Sequence, residues 1–211
     1  MSFFKKVKGK IQGEIYKLCK AVFESVQRKR LRNDDFSIIC SNCVGGIIYH
    51  RLGKQFLSPT INLWFHQDEF IKFLLDLKGY LAEELVFIES QYDYPVAQLR
   101  DIKVYFAHYK TEAEARDAWN RRKARVNFDN LYIIMYDRDG ITRDDILKIK
   151  DLPCKGRIVL SEHIRDYEGV DYIRTLKPGK HANGALFTDV DWFGFQTFEK
   201  QFDFVKFLNQ R

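Results

Sequence analysis

The sequence is short of the features that define several classes of protein. Four cysteines in 211 residues, at positions 19, 40, 43 and 154, are too few and too unevenly placed for a disulfide scaffold. The five histidines and four cysteines form no structural zinc spacing. No uninterrupted apolar run reaches the ~18 residues a bilayer-spanning helix needs. The start, MSFFKKVKGKIQGEIYK, places charges where a signal peptide carries its apolar core. There is no internal repeat and no low-complexity tract. These absences place the expected protein in the cytoplasm. What is present, 45% apolar and 15% aromatic residues, suffices for one sizeable core, so the length favours one domain with at most a small appendage.

Charge is unevenly distributed. The chain carries 35 basic and 29 acidic side chains, a net +6. Residues 1 to 32 hold ten Lys/Arg against Glu14 and Glu24, a local +8, which leaves −2 for the remainder. The body therefore offers no general positive field for a run of phosphates, and nucleic acid is disfavoured as a partner. Phe4, Val7, Ile11, Ile15, Leu18, Val22 and Val26 recur at steps of three and four, so they line one side of a helix whose remainder carries Lys6, Lys10, Lys17, Lys20 and Arg28. Two placements follow: a helix docked on the domain by its apolar side, or an interfacial helix on an anionic membrane, with Phe3 and Phe4 beside Lys5 and Lys6. Residues 1–33 thus read as a basic amphipathic helical extension and 34–211 as the domain proper.

After Asn33-Asp34-Asp35 the pattern changes to short apolar runs between helical stretches. Strands are expected at Phe36 to Cys40, Thr60 to Phe65, Leu85 to Ile88, Val104 to Ala107, Leu131 to Tyr136 and Arg157 to Leu160. Helices are expected from Gly45 to about Gly53, from Asp68 to Tyr80, from the capping box Thr111-Glu112-Ala113-Glu114 to near Arg125, and after Thr142. Phe195, Phe198, Phe202 and Val205 predict a terminal helix sealing the core. This alternation implies an α/β fold with a mostly parallel sheet flanked by helices.

Ligands of such sheets bind beyond the carboxyl ends of the strands, where three polar clusters are expected. The first, Cys40-Ser41-Asn42-Cys43-Val44-Gly45-Gly46, leads into a helix start. Asn42, Gly45 and Gly46 there suit an anion or substrate, or form a tight packing turn, and Cys43 is a candidate nucleophile. The segment is neither a P-loop nor a dinucleotide fingerprint. The second cluster ends in His108, a candidate general base or structural histidine. The helix after it carries Arg122 and Arg125, candidates for a ligand phosphate. The third places Asp137 and Asp139 two residues apart at a strand end, where a bend directs both at one Mg2+ or Mn2+ ion, or where Asp139-Gly140 is simply a turn. His163 is a fourth polar point on that edge. His181 falls in a stretch that reads as a covering loop.

Several of these motifs occur together in a known order. Cys40 to Gly46, Leu57-Ser58-Pro59-Thr60-Ile61-Asn62-Leu63, His108-Tyr109-Lys110 through Trp119-Asn120-Arg121-Arg122, Asn127-Phe128-Asp129-Asn130 and Asp137-Arg138-Asp139-Gly140 resemble the bacterial family of exopolysaccharide biosynthesis-related proteins. The resemblance spans roughly residues 35 to 205. Relatives often read Ser-Asn-Asn-Cys where this chain has Cys40-Ser41-Asn42-Cys43, so Asn42 and Cys43 match and the first two positions depart. The resemblance implies an α/β protein made of two compact subdomains and acting in cell-surface polysaccharide synthesis, with a nucleotide sugar or saccharide as partner, beside the inner face of the plasma membrane. Three function classes follow. The leading expectation is glycosyl transfer, with Asp137 and Asp139 holding a divalent ion and nucleotide diphosphate and His108 assisting the acceptor. The others are a Cys43/His108 acyltransferase or hydrolase, and a noncatalytic saccharide-binding or assembly protein.

Overall fold

The computed structural model describes residues 3–137, 141–163, 167–177, 195 and 197–210, without the side chains of residues 3–12 and 197. Its organising element is β5 (Leu131–Asp137), every residue of which is buried. Successive strand side chains point to opposite faces. Leu131, Ile133 and Met135 accordingly enter one apolar core, and Tyr132, Ile134 and Tyr136 the other. β1 (Ser37–Cys40) pairs with one edge of β5 and β6 (Gly156–Ser161) with the other, both in parallel. Cys40 faces Ile134, and Asp137 faces Ser161. β7 (Ile173–Thr175) extends the sheet, giving the order β1-β5-β6-β7.

β1 is an edge strand, a position that leaves backbone groups unpaired. Side chains close it. Tyr49 Oη accepts from Ile38 N–H at 3.2 Å and Thr60 Oγ1 from Cys40 N–H at 3.1 Å. Tyr49 lies on α2 (Val44–Leu52), which covers one face of the sheet with α7 (Thr197–Gln201) and α8 (Phe204–Leu208). The opposite face is covered by α3 (Gln67–Leu75), α4 (Leu77–Ala82), α5 (Glu112–Lys123), α6 (Arg143–Lys148) and a small second sheet.

The main sheet is parallel as expected, and the small second sheet adds an antiparallel element to it. β2 (Val86–Ile88), β3 (Val96–Leu99) and β4 (Ile102–Tyr105) form an antiparallel sheet inserted between β1 and β5. Its hairpin closes over Arg100-Asp101, with Arg100 at φ 55. Two-residue loops join antiparallel strands, whereas parallel ones need long crossovers. The positive φ falls on an arginine, so no glycine signals the turn and the sequence pattern missed β3. The strand expected over Thr60 to Phe65 is instead a turn, bent by the left-handed Asn62 over α2, and only Trp64 bridges Tyr105. The helix expected over Asp68 to Tyr80 breaks at Asp76, whose carboxylate accepts from Gly79 N–H and caps α4. The tail breaks similarly at Asp203, which caps α8 through Lys206 N–H.

The first helix, α1 (Phe3–Arg30), is present, and its orientation corrects one expectation. The face that docks on the domain carries Phe23, packed against Phe195 and Phe204 at ring separations of 5.0 and 6.4 Å. The apolar stripe points away: Ile15, Leu18, Val22 and Val26 are 42%, 67%, 56% and 46% exposed. Phe23 and buried Gln27 lie roughly a quarter turn or more round the helix from that stripe.

Behind the sheet a buried ion pair joins three helices. Arg51 of α2 donates to both carboxylate oxygens of Glu199 on α7, at 2.6 and 2.9 Å. The two side chains are 6% and 1% exposed. Glu24 of α1 accepts from the same guanidinium at 3.3 Å, and Arg28 Nε donates to the Arg51 carbonyl. Removing one partner strands a buried charge, at a cost of about 3–5 kcal/mol. Glu199→Gln is therefore expected to lower the unfolding free energy by an amount in that range, read from the denaturant midpoint. Arg51→Met combined with Glu199→Leu should recover most of the loss.

Candidate active site

Beyond the carboxyl end of β1 the chain must turn sharply into α2. Asn42 makes the turn: its Oδ1 accepts from Val44 N–H at 3.0 Å and from the Cys40 thiol at 3.5 Å. Such a side-chain acceptor satisfies an N–H that a helix start leaves without an intrahelical partner. Gly45 and Gly46 then let the helix close on its surroundings. A Cβ at Gly45 would stand 3.1 Å from Cys40 Cβ and 3.2 Å from Ile61 Cδ1, and one at Gly46 3.2 Å from Asn62 Oδ1 and Ile61 Cγ2. The missing side chains are thus filled by the Thr60–Asn62 segment. Asn62 itself holds a left-handed φ of 65, which asparagine tolerates.

This turn sends the two cysteines in different directions. Cys40 is fully buried in the core, and burial pushes its thiol up to about 12. Cys43 stands at the amino end of α2, half-buried, with its Sγ 3.3 Å from His108 Nε2. Neither cysteine is in a disulfide. The C-x-x-C spacing therefore yields one inert thiol and one thiol–imidazole contact, not a redox pair.

His108 arrives from the second sheet. β4 ends at Tyr105, and a tight turn in which Tyr109 N–H donates to the Phe106 carbonyl at 2.9 Å exposes His108. The turn is held from α5. Arg122 donates to Tyr109 Oη at 2.6 Å and to the Ile61 carbonyl at 3.0 Å, with its guanidinium 4.9 Å from the Phe56 ring centroid. Burial holds the Tyr109 phenol above its ordinary value although Arg122 opposes the shift. Arg122 thereby ties the segment over Gly45 and Gly46 to the turn that carries His108. Arg125 lies just beyond the C-cap of α5, half-buried.

The remaining candidates occupy the carboxyl edges of β5 and β6. Asp137 is 5% exposed and accepts from Ser161 Oγ at 2.7 Å. Ser161 also bonds both backbone groups of His163, whose residue is exposed. Asp139 and His181 lie outside the described residues. Among the described residues, no group of three His, Cys, Asp or Glu side chains converges as metal ligands. The structure thus joins Cys43 to His108, leaves Asp137 and His163 on neighbouring strand ends, and gives Asn42 and both glycines a part in shaping the turn. Sequence reasoning missed Thr60, Asn62 and Tyr109 as its supports. Asn62 carried the one available signal, being a residue that enters the left-handed region readily.

Two comparisons bear on this arrangement. A family model described as "Domain of unknown function (DUF1919)" matches residues 14–209. An "Uncharacterized protein" of Haemophilus influenzae (strain Rd) is 32% identical over 201 residues, covering 95% of this chain and 97% of that protein. The matched region includes the half of α1 that docks on the domain.

The geometry sets two expectations. Iodoacetamide should label Cys43 in the native protein and spare Cys40 until unfolding, as mapped by peptide mass, and His108→Ala should slow the Cys43 reaction several-fold. Gly45→Ala should destabilise by about 1–3 kcal/mol through overpacking against Cys40 and Ile61, measured by thermal or denaturant unfolding.

Proposed function

The chain belongs to the DUF1919 family of domains of unknown function, and on that footing we propose a thiol-dependent acyltransferase or hydrolase with Cys43 as nucleophile and His108 as base. The observation that carries this reading is the 3.3 Å contact between Cys43 Sγ and His108 Nε2, between residues 65 apart in sequence, at the start of a helix on the carboxyl side of a parallel sheet. A nucleophile and a base within reach of each other are the minimal unit of covalent acyl transfer.

The steps follow from the geometry. His108 Nε2 takes the thiol proton as Cys43 Sγ bonds to the acyl carbonyl carbon. The amino end of α2 favours the negative charge that builds on the carbonyl oxygen. The leaving alcohol or thiol departs with the proton from His108, which leaves a thioester on Cys43. Water or an acceptor hydroxyl then gives its proton to His108, attacks the thioester and returns the free thiol. Arg122 and Tyr109 act as positioning residues for the imidazole. The motif resemblance to exopolysaccharide biosynthesis-related proteins directs the substrate search to acylated saccharides and their precursors, with cell-surface polysaccharide synthesis as the setting.

Glycosyl transfer with Mg2+ or Mn2+ rests on the Asp137/Asp139 spacing, and the same assay separates it. With activated esters and thioesters as probes, Cys43→Ser is expected to abolish turnover and His108→Ala to lower it by about 10²–10⁴-fold. An acyl adduct on Cys43 should appear by intact mass, and EDTA should leave the rate unchanged. Hydrolysis that persists in Cys43→Ser, or transfer from a nucleotide sugar that EDTA stops and Cys43→Ser does not, would overturn the proposal.

A further inference from the structure

α1 presents to solvent the face that its periodicity marks as apolar. Ile15, Leu18, Val22 and Val26 are all exposed large hydrophobics, and the sequence carries the same spacing back through Ile11, Val7 and Phe4. The steps run three, four, four and repeat, an 11-residue period. At about 3.67 residues per turn this differs from the 3.5 of a left-handed coiled coil. Over the described side chains, from Ile15 to Val26, the exposed stripe runs about 17 Å at 1.5 Å per residue.

At the carboxyl end of the same helix the chemistry changes sign from apolar to basic. Lys29 lies three residues beyond Val26 and seven beyond Val22, so it continues the same face. It opens onto a groove of about 1130 Å3 that Arg30, Arg32, Lys155 and Lys206 also line. Arg30 pairs with Asp203. Lys29, Arg32, Lys155 and Lys206 are exposed and, among the described residues, form no ion pair. No carboxylate lines the groove among the described residues. Its wall is fixed: Asn33 Nδ2 donates to the Leu208 carbonyl at 2.8 Å and Asn209 Nδ2 to the Arg30 carbonyl at 2.9 Å. Two of the five cations come from a body whose net charge is −2, so the fold gathers positive charge where the basic helix ends.

We propose that the exposed stripe of α1 and this basic groove together form a docking surface for an anionic lipid bilayer, the stripe lying in the interface and the groove seating headgroup phosphates. Charge complementarity selects this occupant. Residues 1 to 32 carry +8, which an anionic surface neutralises and a second copy of the helix would repel. No described helix is long and apolar enough to cross a membrane, so the attachment is peripheral. This surface is independent of the thiol chemistry.

The test uses the full chain in vesicle co-sedimentation, with phosphatidylcholine alone and with equimolar phosphatidylcholine and phosphatidylglycerol. Binding is expected only to the anionic vesicles and should weaken steeply with salt. Leu18→Glu with Val22→Glu should abolish it. Lys155→Ala with Lys206→Ala, both outside α1, should weaken it about thirtyfold, the loss expected from two cations near an anionic surface. Each pair replaces exposed side chains, so unfolding midpoints should stay at the wild-type value, and Cys43→Ser should bind as wild type. Any of three results overturns the proposal: equal binding to neutral vesicles; unchanged binding in either double variant; or no binding to the anionic vesicles, whether the surface then proves to hold a second copy, as a dimer that Leu18→Glu/Val22→Glu disperses, or inorganic phosphate at the groove, or neither.

Discussion

Burial of β5 on both faces constrains every other element of this protein. With Leu131, Ile133 and Met135 in one core and Tyr132, Ile134 and Tyr136 in the other, a one-residue slip of register would exchange the two sets and mismatch both layers. The pairing with β1 and β6 is thereby fixed, and with it the level at which those strands end. Asp137, Ser161 and the turn after Cys40 come to the same edge because the three strands share that register. The Arg51–Glu199 pair acts on this frame from behind. It secures the carboxyl end of α2 between α1 and α7, while the glycines at the other end let the helix close on β1.

The candidate site lies where two sheets with different geometries meet. Cys43 belongs to the parallel sheet's first crossover, and His108 to the exit of an antiparallel sheet inserted in that crossover. Neither sheet alone contains the pair. Arg122 links them by bonding both the Ile61 carbonyl, above the glycines, and Tyr109, beside the histidine. A cation in a basic run such as Arg121-Arg122-Lys123 is normally solvated, and here one member is the strut between the two halves of the site.

Local signals were legible where a side chain bonds its own neighbourhood. Thr142 and Asp145 form the reciprocal capping box that their spacing implies, and Thr111 accepts from Glu114 N–H at the head of α5. The apolar run of β5 was equally plain. The hairpin at Arg100-Asp101 was not, because its left-handed residue is an arginine. The break at Asp76 was hidden inside a continuous apolar periodicity, which a change of helix axis does not interrupt. Cys40 and Cys43 looked like a matched pair, yet Asn42 Oδ1 draws the chain round so that one sulfur enters the core and the other meets an imidazole.

The amino-acid sequence by itself determined the α/β alternation, the two-faced central strand, the identity of Cys43 and His108 as candidates, and the concentration of positive charge in the first thirty-two residues. All of these depend on interactions between residues close in the chain or on composition alone. Tertiary structure decided which face of α1 meets the domain. Periodicity finds an apolar stripe, but the docked face is set by what Phe23, Glu24 and Arg28 encounter on elements distant in sequence. It also decided that Cys43 lies beside His108 and that Lys155 and Lys206 join the basic end of the first helix, since a contact across long loops is encoded by the whole packing and by no local pattern.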